Sequence, residues 1–180
     1  MVDNDDTESG NHHQGFSSSS FLCDKQGHHL LHVLAARLDP QKASNELYTT
    51  AVALYLDRYL AAKANHVTLL LDVRAGVGWK NPPALELTSL VRHLATHLHA
   101  LYPDRLHGCL LFPVPRPAIW IWNLCKGLLD ERIRSAVCLF PGGASARSPA
   151  PVSALSAHVE EAFLQHCEKM RLETFETNRR

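Results

Sequence analysis

Residues 107–140 read HGCLLFPVPRPAIWIWNLCKGLLDERIRSAVCLF, and how this stretch must fold decides the architecture. Its ends, Gly108–Phe112 and Ala136–Phe140, are short continuous apolar runs with the length of buried strands. Between them, Pro117–Leu129 is apolar on almost every side. In a helix, Ile119, Trp122 and Leu129 fall along one face and Trp120, Leu124 and Leu128 along another, with only Asn123 and Lys126 interrupting. A surface helix of a water-soluble protein ordinarily carries one apolar stripe, and a helix apolar all round has to be covered all round. In a chain of 180 residues, either the core wraps this helix or one of its faces meets something that is not protein.

Working outward toward the N-terminus, Val67–Val73 (VTLLLDV) is the clearest strand, nearly continuous in apolar residues as a parallel strand covered on both faces should be. A Gly/Pro loop over Arg74–Pro83 separates it from a helix marked by Leu87, Leu90, Val91, Leu94, Leu98 and Leu101 and stopped by Pro103. Before it, Asp39-Pro40 has the chemistry of a helix start, and Leu47, Ala51, Leu54, Tyr55 and Leu60 keep helical spacing to about Ala64. His29–Ala35 reads as a first strand entered through the turn-forming Asp24-Lys25-Gln26-Gly27. Toward the C-terminus, a Gly/Ser/Pro/Ala loop at Pro141–Pro151 leads into Val152–Leu172, which carries Leu155, Val159, Phe163 and Leu164 at helical spacing. Strand and helix alternate four times, which predicts an α/β fold with a mostly parallel sheet and flanking helices. The expected division is a polar, disordered tail over 1–20, one domain over 21–165, and a charged helical tail over 166–180 that frays at its end.

Eighteen basic residues balance eighteen acidic ones, so no global field favours nucleic acid or an anionic membrane. Five cysteines without C-x-x-C spacing predict reduced, packed thiols. No apolar signal segment opens the chain, and no run approaches the roughly 18 apolar residues of a membrane span. The expectation is a cytoplasmic protein, with peripheral membrane contact open.

Chemical motifs are sparse. Gly76-x-Gly78 follows a strand but lacks a third glycine and a helix N-terminus, so it reads as a loop. His93 and His97, four apart, have the spacing to clamp a metal from one helix face. Without a third ligand in sequence they read as a solvated face, as do His28, His29 and His32. No metal site and no cofactor are expected. There is no G-x-S-x-G elbow and no phosphate loop. Asp72 at a strand end reads as a loop cap rather than a catalytic carboxylate. The expectation is a binding protein, not an enzyme.

Taken in order, these segments resemble the CRAL-TRIO (Sec-fourteen-like) lipid-binding domain family, from roughly Asp24 to Phe163. Asp24-Lys25-Gln26-Gly27 before a strand is similar to the family's D-x-x-G-R-P opening. Val67–Arg74 resembles its central strand, and Leu101-Tyr102-Pro103-Asp104-Arg105-Leu106 its Y-P-E-R segment. The strand, Pro-rich bend, apolar helix and strand across Leu110–Phe140 resemble its gate region. The resemblance implies a sheet floor, a CRAL-TRIO-like lipid-binding groove and a mobile apolar gate at Ile119–Leu129. It implies lipid-binding roles for Asp104, Phe112, Val114, Ile119, Trp120, Trp122, Leu124, Leu128 and Arg134. The implied partners are a lipid ligand and, transiently, a membrane.

The chain departs from the family pattern at several points. No three-helix segment precedes the domain in this chain, and G-R-P becomes Gly27-His28-His29. The family's L-P-x-x-G-G ending is replaced by Leu164-Gln165-His166-Cys167. The Glu of Y-P-E-R is Asp104, and the S-K-I lysine is replaced by Ala136. Arg134 supplies the missing charge only if the strand extends back to it, since strand side chains alternate. The resemblance also extends to a divergent branch of the family that binds small GTPases or their regulators, which is the alternative reading.

Overall fold

The computed structural model describes residues 23–39, 42–60, 66–77, 105–128 and 131–177, together with 89, 92–94, 96, 97, 100 and 101. The expected tail over 1–20 and the Tyr102–Asp104 part of the Y-P-E-R match lie outside the described residues.

Among the described residues four strands form one sheet: β1 (His29–Leu34), β2 (Val67–Asp72), β3 (Leu106–Val114) and β4 (Val137–Pro141). Their spatial order is β1-β2-β3-β4 and every neighbouring pair is parallel. The α/β expectation holds. β2 is buried at all six positions, which is why its sequence shows no polar alternation. The helices are α1 (Asn45–Leu60), α2 (Arg116–Cys125), α3 (Glu131–Ala136), α4 (Val152–Leu155) and α5 (Glu161–Thr177). The described residues between 89 and 101 are helical.

Strand order that follows chain order puts successive right-handed crossovers on the same side of a parallel sheet. On that side, Ala53 and Leu56 of α1 and Leu94 of the helical stretch between 89 and 101 pack with Leu69 and Cys109. The opposite side is closed by the C-terminal helices, where Leu155, Val159, Phe163, Leu164 and Cys167 pack with Leu30, Leu70, Leu110, Phe112 and Phe140. Burial pushes the thiols of Cys109 and Cys167 up to about 12. Cys23, Cys109, Cys138 and Cys167 form no disulfide.

Three boundaries differ from expectation, each for a local reason. The first helix begins at Asn45, not at Asp39-Pro40. The Asp39 carbonyl instead accepts the N–H groups of Lys42 (2.9 Å) and Ala43 (3.1 Å), closing a turn. Ser44 then caps the helix, its Oγ accepting the Leu47 N–H at 3.3 Å. The expected Val152–Leu172 helix is two helices, one turn of α4 and then α5. α5 runs unbroken through residues 165 and 166 and buries Cys167, Arg171 and Phe175, so residues 166–177 belong to the folded unit. Finally, β4 begins at Val137, and Arg134, Ser135 and Ala136 are helical in α3.

Candidate functional site

Residues paired across parallel strands point to the same side of a sheet. On the crossover side the register aligns Leu31, Leu69, Cys109 and Val137 in one row and Val33, Leu71, Leu111 and Leu139 in the next. In the second row Leu71 is buried, but Val33, Leu111 and Leu139 are only half-buried. An apolar row therefore runs across the sheet with incomplete cover.

Helix α2 belongs to the crossover above the last two strands and packs against β4, while α3 packs against β3 and β4. It starts directly after Pro115, which is extended (φ −60°, ψ 141°), and Pro117 sits in its first turn, where a missing N–H costs nothing. Ala118, Ile119 and Trp122 are half-buried. On its outer side Trp120 is 64% exposed, Ile121 42% and Leu124 61%. The fold thus covers only one side of a helix that is apolar on both.

The positions expected to bind lipid are distributed as follows. Ile119, Trp120, Trp122 and Leu124 are brought together on α2. Phe112 belongs to the core on the opposite side, 2% exposed under the C-terminal helices. It does not line the crossover side, because strand alternation turns it away from Leu111. Val114 is buried at the end of β3, where its carbonyl accepts the Gly142 N–H at 3.1 Å. Arg134 is exposed on α3, with Nη2 3.7 Å from Glu131. The strand alternation invoked for it does not apply, since residues 134–136 are helical. Asp104 and the Leu128 side chain lie outside the described residues. The half-covered Val33, Leu111 and Leu139 were not anticipated, because which strand residues share a row depends on pairing that no single segment displays.

At the C-terminal end of β2 lies a buried ion network. Asp72 Oδ1 accepts the backbone N–H of Arg74 at 2.9 Å, and both carboxylate oxygens accept its guanidinium. Arg74 also donates to Glu168 and to the Ser148 carbonyl. Arg171 donates to the carbonyls of Ala75 (2.7 Å) and Ala146 (2.9 Å). Burial opposes the charge on Arg74, but the bonds to Asp72 and Glu168 outweigh it and hold its pKa above the ordinary value. Burial, with Arg74 beside it, holds Arg171 below its own. Asp72 accepts the backbone and guanidinium of Arg74, the geometry of a loop cap, and Arg74 and Arg171 in turn fasten two loops to α5.

A second polar cluster occupies the opposite edge of the sheet, where β1, β2 and β3 begin. Asp24 Oδ1 accepts the N–H groups of Gln26 and His28, both at 2.9 Å. Asp24 Oδ2 accepts the Thr68 hydroxyl at 2.6 Å and lies 3.1 Å from His28 Nδ1. Burial works against the carboxylate, but these bonds prevail and keep it below the usual carboxylate value. The His28 and His107 rings lie 3.7 Å apart, and His66 meets His28 edge-on at 5.3 Å. Burial, and then the nearby His28, lower the pKa of His107. His28 is therefore packed rather than solvated. By contrast His93 and His97 stack on each other at 4.2 Å along the helical stretch.

A family model described as CRAL/TRIO domain matches residues 18–175 of the chain. No curated protein matches it. Among the described residues no helix is long and apolar enough to cross a membrane.

Proposed function

The chain belongs to the CRAL/TRIO domain family, whose domains bind hydrophobic ligands, and we propose that this one holds a phospholipid-class ligand beneath α2 and exchanges it with membranes without chemical turnover. The observation that carries this reading is the position of α2. It lies in the crossover between β3 and β4 and packs against β4, on a sheet whose crossover-side row is left half-buried at Val33, Leu111 and Leu139, and it turns Trp120, Ile121 and Leu124 to solvent.

An acyl chain laid along the half-covered row would complete the cover that the crossover leaves open. Each methylene buried contributes about 0.8 kcal/mol, and nearly the same amount is recovered in a bilayer. Net transfer is then close to balanced, and headgroup contacts decide which lipid is held. The outward residues of α2 suit transient contact with a bilayer interface, where Trp is favoured. A charged inositol-lipid headgroup needs a paired cation once it leaves water. Ala136 offers none and Arg134 stands exposed on α3, which favours a neutral or weakly charged headgroup.

The test is to denature the purified full chain, extract it, and identify bound lipids by mass spectrometry, alongside uptake from labelled phosphatidylcholine vesicles. A stoichiometric lipid and measurable uptake are expected. An empty extract with no uptake would favour the alternative, a protein-interaction module for small GTPases or their regulators. That reading draws support from the same exposed apolar residues and from the missing lysine.

A further inference from the structure

We propose that Asp24, His28 and His107 form a binding site for a divalent transition metal of borderline softness, Zn2+ or its congener Co2+, at the edge of the sheet where β1, β2 and β3 begin. One ligand atom from each of the three side chains lies within 4.8 Å of the others, the one such convergence of three among the described residues. Tetrahedral coordination with bonds of about 2.0–2.1 Å sets neighbouring ligand atoms about 3.3 Å apart. The Asp24 Oδ2 to His28 Nδ1 separation of 3.1 Å is within a few tenths of that edge. A ring nitrogen of His107 lies within 4.8 Å of both and supplies the third position.

The carboxylate is fixed before any ion arrives. Two backbone N–H groups hold Asp24 Oδ1 and the Thr68 hydroxyl holds Oδ2, the kind of outer-shell support that orients metal ligands. Gly27, with φ +86°, allows the tight turn that brings His28 back over Asp24, a conformation that side chains resist. Two imidazoles and one carboxylate suit zinc-like ions rather than Mg2+ or Ca2+, which prefer all-oxygen shells. Three protein ligands leave a fourth position to water. The site lies at the other end of the strands from the Asp72 network, so its occupancy is independent of the lipid reading.

The test uses untagged full chain stripped with a chelator and titrated with Zn2+ by calorimetry and with Co2+ by visible absorption. Other histidines are competitors, so the same titrations are run on a variant with His12, His13, His93 and His97 all changed to Gln. That variant is expected to keep one equivalent, with Co2+ bands of four-coordinate intensity. Because Asp24 also closes its own turn, the decisive substitution is at exposed His107. His107→Gln in the same background should weaken binding at least tenfold while leaving the metal-free melting temperature unchanged. Loss of all binding in the fourfold variant, or unaltered binding in His107→Gln, would overturn the proposal.

Discussion

Under α4 and α5, Phe112 is 2% exposed and Leu155 and Val159 are fully buried; on the crossover side of the same sheet Leu111 and Leu139 are only half-buried, and Trp120 of the last crossover stands 64% in water. Both sides draw on equally apolar strands. They differ in what covers them. The C-terminal helices bring large apolar residues, and Arg171 of α5 joins Arg74 in closing on Asp72, so that side is sealed by protein alone. The third crossover brings α2, which spends half of its apolar surface on water. A closed face stabilises the fold, and an open one is available for a ligand. Substitutions on the two sides should therefore separate stability from binding.

The largest loss is expected where the closed side holds its charges. Arg74→Leu leaves Asp72 buried without its main partner, and breaking a buried pair in this way costs about 3–5 kcal/mol. Urea denaturation should show a lower midpoint with an unchanged slope; a midpoint equal to the parent's would mean that Arg171 alone neutralises Asp72. Next comes Gly76→Ala. A Cβ there runs into the ring of buried Phe175, and such overpacking costs about 1–3 kcal/mol. Gly76→Ala combined with Phe175→Leu should recover part of that loss, and no recovery would point to backbone rather than ring as the obstacle.

A smaller effect depends on pH. Burial holds His32 below the ordinary 6.5, with Asp72 and Glu168 favouring its charge and Arg74 and Arg171 opposing it. The unfolded chain then binds the proton more readily than the folded one. The contribution of neutral His32 is present above pH 6.5 and is lost as pH falls through the lower folded value. His32→Asn should flatten the stability profile in that window; an unchanged acid slope would place its origin elsewhere, His107 being the first candidate. The smallest stability effect is expected on the open side. Trp120→Ser with Leu124→Ser should stay within about 0.5 kcal/mol of the parent, yet reduce lipid uptake from vesicles several-fold. A cooperative loss of stability in that double variant would instead make α2 part of the core.

Strand positions were legible to within a few residues because continuous apolar runs bounded by turns have few other ways to fold. The apolar excess of α2 was equally plain. Local signals failed where a competing bond intervened: Asp39 resembles a helix cap, but its carbonyl is engaged in a turn and Ser44 takes the role. Whether the strand reaches back to Arg134 is not legible, because nothing in Ser135-Ala136-Val137 marks where α3 stops. The cluster of Asp24, His28, His66 and His107 was illegible for a different reason. Its members are separated by up to 83 residues, counted from 24 to 107, and meet only because parallel strands start at a common edge.

The one-sided crossovers also fix an order of events during synthesis. Everything needed to pair the four strands and cover one side has emerged once Pro141 is made, and domains fold as the chain is produced from its N-terminus. The side bearing Leu70, Leu110 and Phe112 has no cover of its own until residues 152–177 follow. For that interval the nascent sheet presents a bare apolar wall, and α4 and α5 are the segments that take it out of water.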